Sequence, residues 1–214
     1  MKYRLIIFDL DGTLLDTLDD LTDGVNFALR SLSMKERSRS EVLSFVGNGN
    51  RVLMERSVPE GTDPETSAVA LQKFHEYYSC HYADRTRPYD GIDQLLAELK
   101  AMGYLLAVIS NKVDYAVQDI CRIYFDGIFD FAIGDREGIR RKPASDPVDL
   151  CLKELNVRAE QALYIGDSEV DLATAANAGV ECLSVDWGFR QHEVLVEAGA
   201  RTIVSSPAEI KEYI

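Results

Sequence analysis

Cationic side chains are scarce in this chain: 23 Lys and Arg stand against 36 Asp and Glu, for a net charge of −13. With no basic excess to displace condensed counterions, nucleic acids and anionic membrane surfaces are not expected partners. Cysteine is also sparse. Cys80, Cys121, Cys151 and Cys182 form no Cys-x-x-Cys pair, which leaves neither a zinc site nor a disulfide framework and implies reduced, mostly buried thiols. His75, His81 and His192 lack metal-ligand spacing. The apolar run Leu5 to Phe8 is far too short to span a bilayer, and no cationic segment leading into an apolar stretch and a cleavage site opens the chain. Cytoplasmic residence is the expectation. Internal repeats and low-complexity linkers are missing too.

What is present is an alternation. Strand-like apolar runs occur at Leu5 to Phe8, 105–109, 131–133, 162–165 and 182–185, with a shorter candidate at 202–204. Between them lie amphipathic patterns at 91–102, 113–123, 147–155 and 169–178, and a last helix is expected from Pro207. Such alternation predicts an α/β fold, a parallel sheet covered by helices. Residues 16–82 break the rhythm with helical patterns alone (19–31, 40–46, 50–57, 64–82). The expected organisation is therefore a core of 1–15 and 83–214 with a helical insert of 16–82, placed above the carboxyl ends of the strands where open α/β sheets bind ligands.

The first strand run ends in Asp9-Leu10-Asp11-Gly12-Thr13. If extension persists, Asp9 and Asp11 leave on the same side. Two anions so close repel by about 4 kcal/mol at ~4 Å in an effective dielectric of 20. A hard divalent metal is the economical remedy. Three further segments follow strand runs. Ser110-Asn111-Lys112 reads either as a helix N-cap or as part of an anion cradle. Lys142-Pro143 sits in a charged loop, where a residue before proline is extended and its ammonium could neutralise phosphate and carboxylate; Arg140 and Arg141 are rivals for that role. Gly166-Asp167-Ser168-Glu169-Val170-Asp171 brings a third carboxylate, Asp167, to the same edge and opens a helix.

In that order, these four blocks resemble the haloacid dehalogenase superfamily, and the chain is most similar to its phosphoglycolate phosphatases through Phe8 to Thr17, Val46 to Gly49 and Trp187 to Arg190. The resemblance implies a Rossmann-like core with a small α-helical cap, and Mg²⁺ as cofactor, held by Asp9, Asp11 (through its carbonyl) and Asp167. It implies catalytic roles for Asp9, Asp11 and Lys142: Asp9 attacks phosphorus, Asp11 protonates the leaving alkoxide and then takes a proton from water. Thr13, Ser110, Asn111 and Lys142 would hold the phosphate, and Asp171 would orient metal waters or Lys142. The expected partner is a small phosphorylated metabolite, the expected state monomer or dimer. Ser145 stands where the family pattern carries a second proline, a change in loop stiffness rather than chemistry.

The family also holds pyrophosphatases, nucleotide phosphatases and phosphomutases, which stay open as alternatives. In the insert, Gly47, Gly49 and Arg51 belong either to a substrate-facing loop or to a plain helix–helix turn. Trp187 to Arg190 reads as a packing and hinge element, Phe74 to Tyr82 as a helix packing face. Cap motion is expected near 14–18 and 82–90.

Overall fold

The computed structural model describes Lys2–Ile214. Its strands in chain order are β1 (Leu5–Phe8), β2 (Leu15–Asp16), β3 (Arg87–Pro88), β4 (Leu105–Val113), β5 (Phe131–Asp135), β6 (Ala162–Gly166), β7 (Glu181–Val185) and β8 (Ile203–Val204). Every residue of β1 is buried because that strand runs through the middle of a six-stranded sheet of order β5-β4-β1-β6-β7-β8, in which each pairing is parallel. The sheet's helices are α5 (Ile92–Ala101), α6 (Asp114–Tyr124), α7 (Asp146–Glu154), α8 (Glu169–Ala178) and α9 (His192–Glu197), with a six-residue 3-10 helix at Pro207–Glu212. One apolar cluster joins Leu5, Ile7, Ile109, Ile133, Val148 and Ala175. Each of the Leu, Ile and Val side chains contributes roughly 1.5–3 kcal/mol on full burial. Phe8 pairs with Val108 on one side and Ile165 on the other, so the residues after these three strands emerge at a common edge.

The chain divides into two units, Met1–Leu15 with Pro88–Ile214, and Asp16–Arg87. The second is wholly helical between β2 and β3: α1 (Leu18–Ser31), α2 (Arg39–Phe45), α3 (Gly49–Ser57) and α4 (Pro64–His81). Helix α4 starts where Asp63 accepts the Thr66 N–H at 2.9 Å and Pro64 occupies the first turn. Phe74 and Tyr78 pack inward, and Gly24 of α1 makes room: a Cβ there would press on the Phe74 ring.

Several expectations shift. The insert was expected to end at 82, but the helical unit runs to Arg87, because the buried Asp20 accepts the backbone N–H of Arg85 at 2.9 Å, that of Thr86 at 2.9 Å and the Thr86 hydroxyl at 2.8 Å. β4 runs on to Val113 past a register irregularity against β5. The segment from Pro207 closes i→i+3 bonds, Glu209 N–H to Ser206 O and Tyr213 N–H to Ile210 O, rather than an α-helix. Cys151 alone among the thiols is fully buried; Cys121 and Cys182 are half-buried and Cys80 exposed, all four free. Burial pushes the Cys121 and Cys151 thiols up to about 12. No helix among the described residues is long and apolar enough to cross a membrane.

Candidate active site

Asp9 follows β1 at the common edge and is only 8% exposed. Its Oδ1 accepts the Leu10 N–H at 2.7 Å and pairs with Lys142 Nζ at 2.8 Å. Lys142 stands in a turn closed by the Ala144 N–H, which donates to Arg141 O at 3.0 Å. Its ammonium also reaches Asp171 Oδ1 at 2.8 Å and the Tyr164 hydroxyl at 3.2 Å. Burial opposes that positive charge, yet Asp171 and Asp9 outweigh burial and hold the lysine well above its ordinary pKa.

Asp167 arrives after β6, almost fully buried. The Thr13 hydroxyl donates to its Oδ1 at 3.0 Å and the Phe189 N–H to its Oδ2 at 2.7 Å. Asp171, in the first turn of α8, accepts the Ser168 N–H at 3.1 Å and hydroxyl at 2.6 Å. Asp9, Asp167 and Asp171 each offer a carboxylate oxygen within 4.8 Å of the others. Burial and then repulsion from Asp171 push Asp9 well above the carboxylate range despite Lys142, and push Asp167 up to about 7. Glycines permit this crowding. Gly12, at φ +91°, and Gly188 lie where a Cβ would collide with the Asp167 side chain, and a Cβ on Gly166 would collide with Asp171.

Asp11 parts company with Asp9. β1 ends at Phe8 and the chain folds back, with the N–H groups of Leu14 and Leu15 both donating to Leu10 O at 3.0 Å. Strand alternation therefore does not carry through, and the Asp11 carboxylate turns to Lys112 Nζ at 2.8 Å. The carboxylate trio is completed by Asp171 instead of Asp11.

The side chains of Thr13, Asn111 and Ser110, three of the expected phosphate ligands, each have a partner within the protein. The Thr13 hydroxyl is fully buried against Asp167. Asn111 donates its Nδ2 to the Lys142 carbonyl at 3.1 Å, holding the lysine turn. Ser110 is in β4, not at a helix cap, and its Oγ lies 3.4 Å from Asp11 Oδ2. In the helical unit, Gly49 opens α3, so the connection there is only Val46 to Asn48. Arg51 pairs with Glu55 at 2.8 Å and, with Arg37 and Arg56, lines an open hollow of about 790 Å³.

Sequence reasoning passed over three contributors. Lys112 stood in a quoted tripeptide but was given no role. Tyr164 was absorbed into an apolar strand run, with nothing local to separate it from core. Trp187 to Arg190, a packing and hinge element by sequence, also fastens the site: Trp187 Nε1 donates to Thr13 O at 3.1 Å, Gly188 abuts Gly12, and the Phe189 N–H donates to Asp167.

The family described as haloacid dehalogenase-like hydrolases matches residues 6–185. The chain belongs to this family. Among curated relatives of this hydrolase, the phosphoglycolate phosphatase of Psychrobacter arcticus is 34% identical over 88% of this chain and 86% of its own length. That of Colwellia psychrerythraea is 32% identical over 92% and 90%. A crystal structure from Lactobacillus delbrueckii subsp. bulgaricus, provisionally assigned as a phosphoglycolate phosphatase, is 36% identical with a TM-score of 0.95, covering 100% of this chain and 99% of its own.

An oxygen-only set of three buried carboxylates, facing a single ammonium and closed in by glycines, fits a hard divalent cation. The sign of the pH dependence follows from Asp167. Below its unfolded pKa near 3.8 the carboxyl is neutral in both states. Between there and about 7 the unfolded chain is ionised while the folded protein keeps the proton, so stability falls as pH rises through that window and the loss is complete above it. A cation relieves it. Added Mg²⁺ or Mn²⁺ is expected to raise the melting temperature of EDTA-treated protein by several degrees at pH 8 and much less at pH 5.5; equal gains at both pH values would refute the assignment.

Proposed function

We propose that this hydrolase is a Mg²⁺-dependent phosphatase that cleaves a small phosphomonoester, phosphoglycolate or a close analogue, through an aspartyl-phosphate on Asp9. The observation that carries the reading is the Asp9–Lys142 pair at 2.8 Å, set at the sheet edge beside Asp167 and Asp171. The relatives named phosphoglycolate phosphatase support the substrate class.

The obstacle to the reaction is an anion approaching an anion, so fixed positive charge is the main requirement. Lys142 supplies it, and Asp171 with Tyr164 fixes where the ammonium points. Asp9 is oriented by Lys142 and the Leu10 N–H. Its oxygen forms the new bond to phosphorus while the ester oxygen leaves. Asp11, beside Ser110, is the group that gives that oxygen a proton and later receives one from water. Mg²⁺ would be held by Asp9, Asp167 and the Asp11 carbonyl, and when bound it supplies further neutralisation between nucleophile and phosphate.

Phosphate release measured over a few dozen metabolites with Mg²⁺ tests the proposal. Phosphoglycolate is expected to rank first or among the first, with activity falling roughly tenfold or more in EDTA and returning on Mg²⁺ addition. Activity indifferent to exhaustive chelation would remove the metal from the reading; no release from any monoester would remove the reading itself.

A further inference from the structure

Lys112 carries a charge into the interior, its side chain 3% exposed. Its Nζ is 2.8 Å from Asp11 Oδ1, and Ser110 Oγ stands 3.4 Å from Asp11 Oδ2, so each oxygen of that carboxylate faces a donor. Ser110 and Lys112 are themselves tied, the Lys112 N–H donating to Ser110 Oγ at 3.1 Å. The path of the chain through this point is set from the neighbouring strand. The register of β4 against β5 shifts between Ile109 and Val113, and Gly134 of β5 sits so close that a Cβ would collide with the Lys112 carbonyl and with Asp114. The Gly134 N–H donates to Asp114 Oδ1 at 2.8 Å, fastening the end of the irregular stretch. A buried ion pair adds little stability over an apolar pair of the same shape. What it adds here is the orientation of one carboxylate.

We propose that Lys112 is a positioning residue: it holds the Asp11 carboxyl group beside Ser110, where the ester oxygen of a phosphomonoester departs, and so governs proton delivery to the leaving group. The inference rests on the phosphatase reading. In the step concerned, the bond between phosphorus and the ester oxygen breaks as the bond to Asp9 forms. The departing alkoxide takes the Asp11 proton, leaving alcohol, aspartyl-phosphate and an Asp11 carboxylate that faces the Lys112 ammonium. Lys112 acts through Asp11 and touches no substrate.

The readout is kcat/KM, which covers events only as far as alcohol release, compared between an alkyl ester such as phosphoglycolate and p-nitrophenyl phosphate, whose leaving group departs near neutral pH without a proton. Lys112→Met is expected to lower kcat/KM by about 10- to 100-fold for the alkyl ester, part of the 10²–10⁴ that general acid catalysis supplies, and by less than about threefold for the aryl ester. Lys112→Arg is expected to restore most of the loss. In an Asp11→Asn background, Lys112→Met should add no further loss, because the two act as one unit. Equal losses on both esters, or additive losses in the double variant, would overturn the proposal as a merely structural effect. A crystal structure of Lys112→Met gives a reading independent of turnover: Asp11 turned away from Ser110 with Asp9 and Lys142 in place supports it, and Asp11 unmoved overturns it. If the unaltered protein releases no phosphate from any ester, the phosphatase reading fails, and that crystal structure still decides what Lys112 does.

Discussion

Asp9→Asn is expected to lower kcat by at least ~10⁴-fold, the scale seen when an attacking side chain is removed from enzymes that form covalent intermediates, with substrate binding largely kept. An amide has the shape of the carboxylate but no anionic oxygen to form the bond to phosphorus. The accompanying change in stability makes the result diagnostic. Burial and the charges of Asp171 and Asp167 oppose ionisation of Asp9 more than Lys142 favours it. A neutral Asn therefore removes a destabilising charge, and Lys142 keeps Asp171 and Tyr164 as partners. The metal-free variant is expected to melt no lower than the parent at pH 8, and isothermal titration with a phosphate mimic should show near-normal affinity. Near-normal turnover would remove the covalent step; loss of turnover with a fall in melting temperature would mean that the substitution had acted on folding rather than chemistry.

The legible parts of this chain are those where one local rule decides the outcome. A strand buried on both faces has to be apolar throughout, so Leu5 to Phe8 could be read as central, and the acids that follow it could only lie at its edge. Helices α1 and α4 show their packing faces in the spacing of Leu21, Val25 and Ala28, and of Ala70, Phe74 and Tyr78. Two-residue strands such as β2 and β3 have no room for periodicity, and the six residues of α9 bury a single position, Leu195.

The site was legible as a set of positions but not as a set of directions. Asp9, Asp167 and Lys142 meet because each follows or faces the end of a central strand. The direction of Asp11 depends on where β1 stops, and that is set by the turn closing on the Leu10 carbonyl. Asp171 joins the cluster because Gly166 leaves space beneath it. The Thr13 hydroxyl turns inward because Asp167 needs a donor once it is buried. Such outcomes are decided by long-range neighbours, 154 residues apart in the case of Thr13 and Asp167, which no local spacing encodes.

Lys142→Met is the substitution expected to cost the fold most. The lysine is buried and its ammonium lies 2.8 Å from both Asp9 and Asp171. Methionine fills much of the same space, so the loss is electrostatic rather than a cavity. Removing one partner from a buried ion pair leaves uncompensated charge and typically costs about 3–5 kcal/mol, a large share of the ~5–15 kcal/mol that holds a domain folded. For a chain of this length that corresponds to a fall of roughly 6–20 °C in melting temperature at pH 8 without metal. Two comparisons fix the cause. At pH 5.5, where Asp167 holds its proton and Asp9 is pushed the same way, less charge is left exposed to its neighbours and the loss should shrink. A second change, Asp171→Leu in the Lys142→Met background, removes one of the stranded anions and is expected to recover part of the stability but none of the activity, since the charge that faces the phosphate stays absent. A melting temperature within about 2 °C of the parent at pH 8 would show that the three carboxylates do not depend on this ammonium, and the electrostatic account of the site would fall with it.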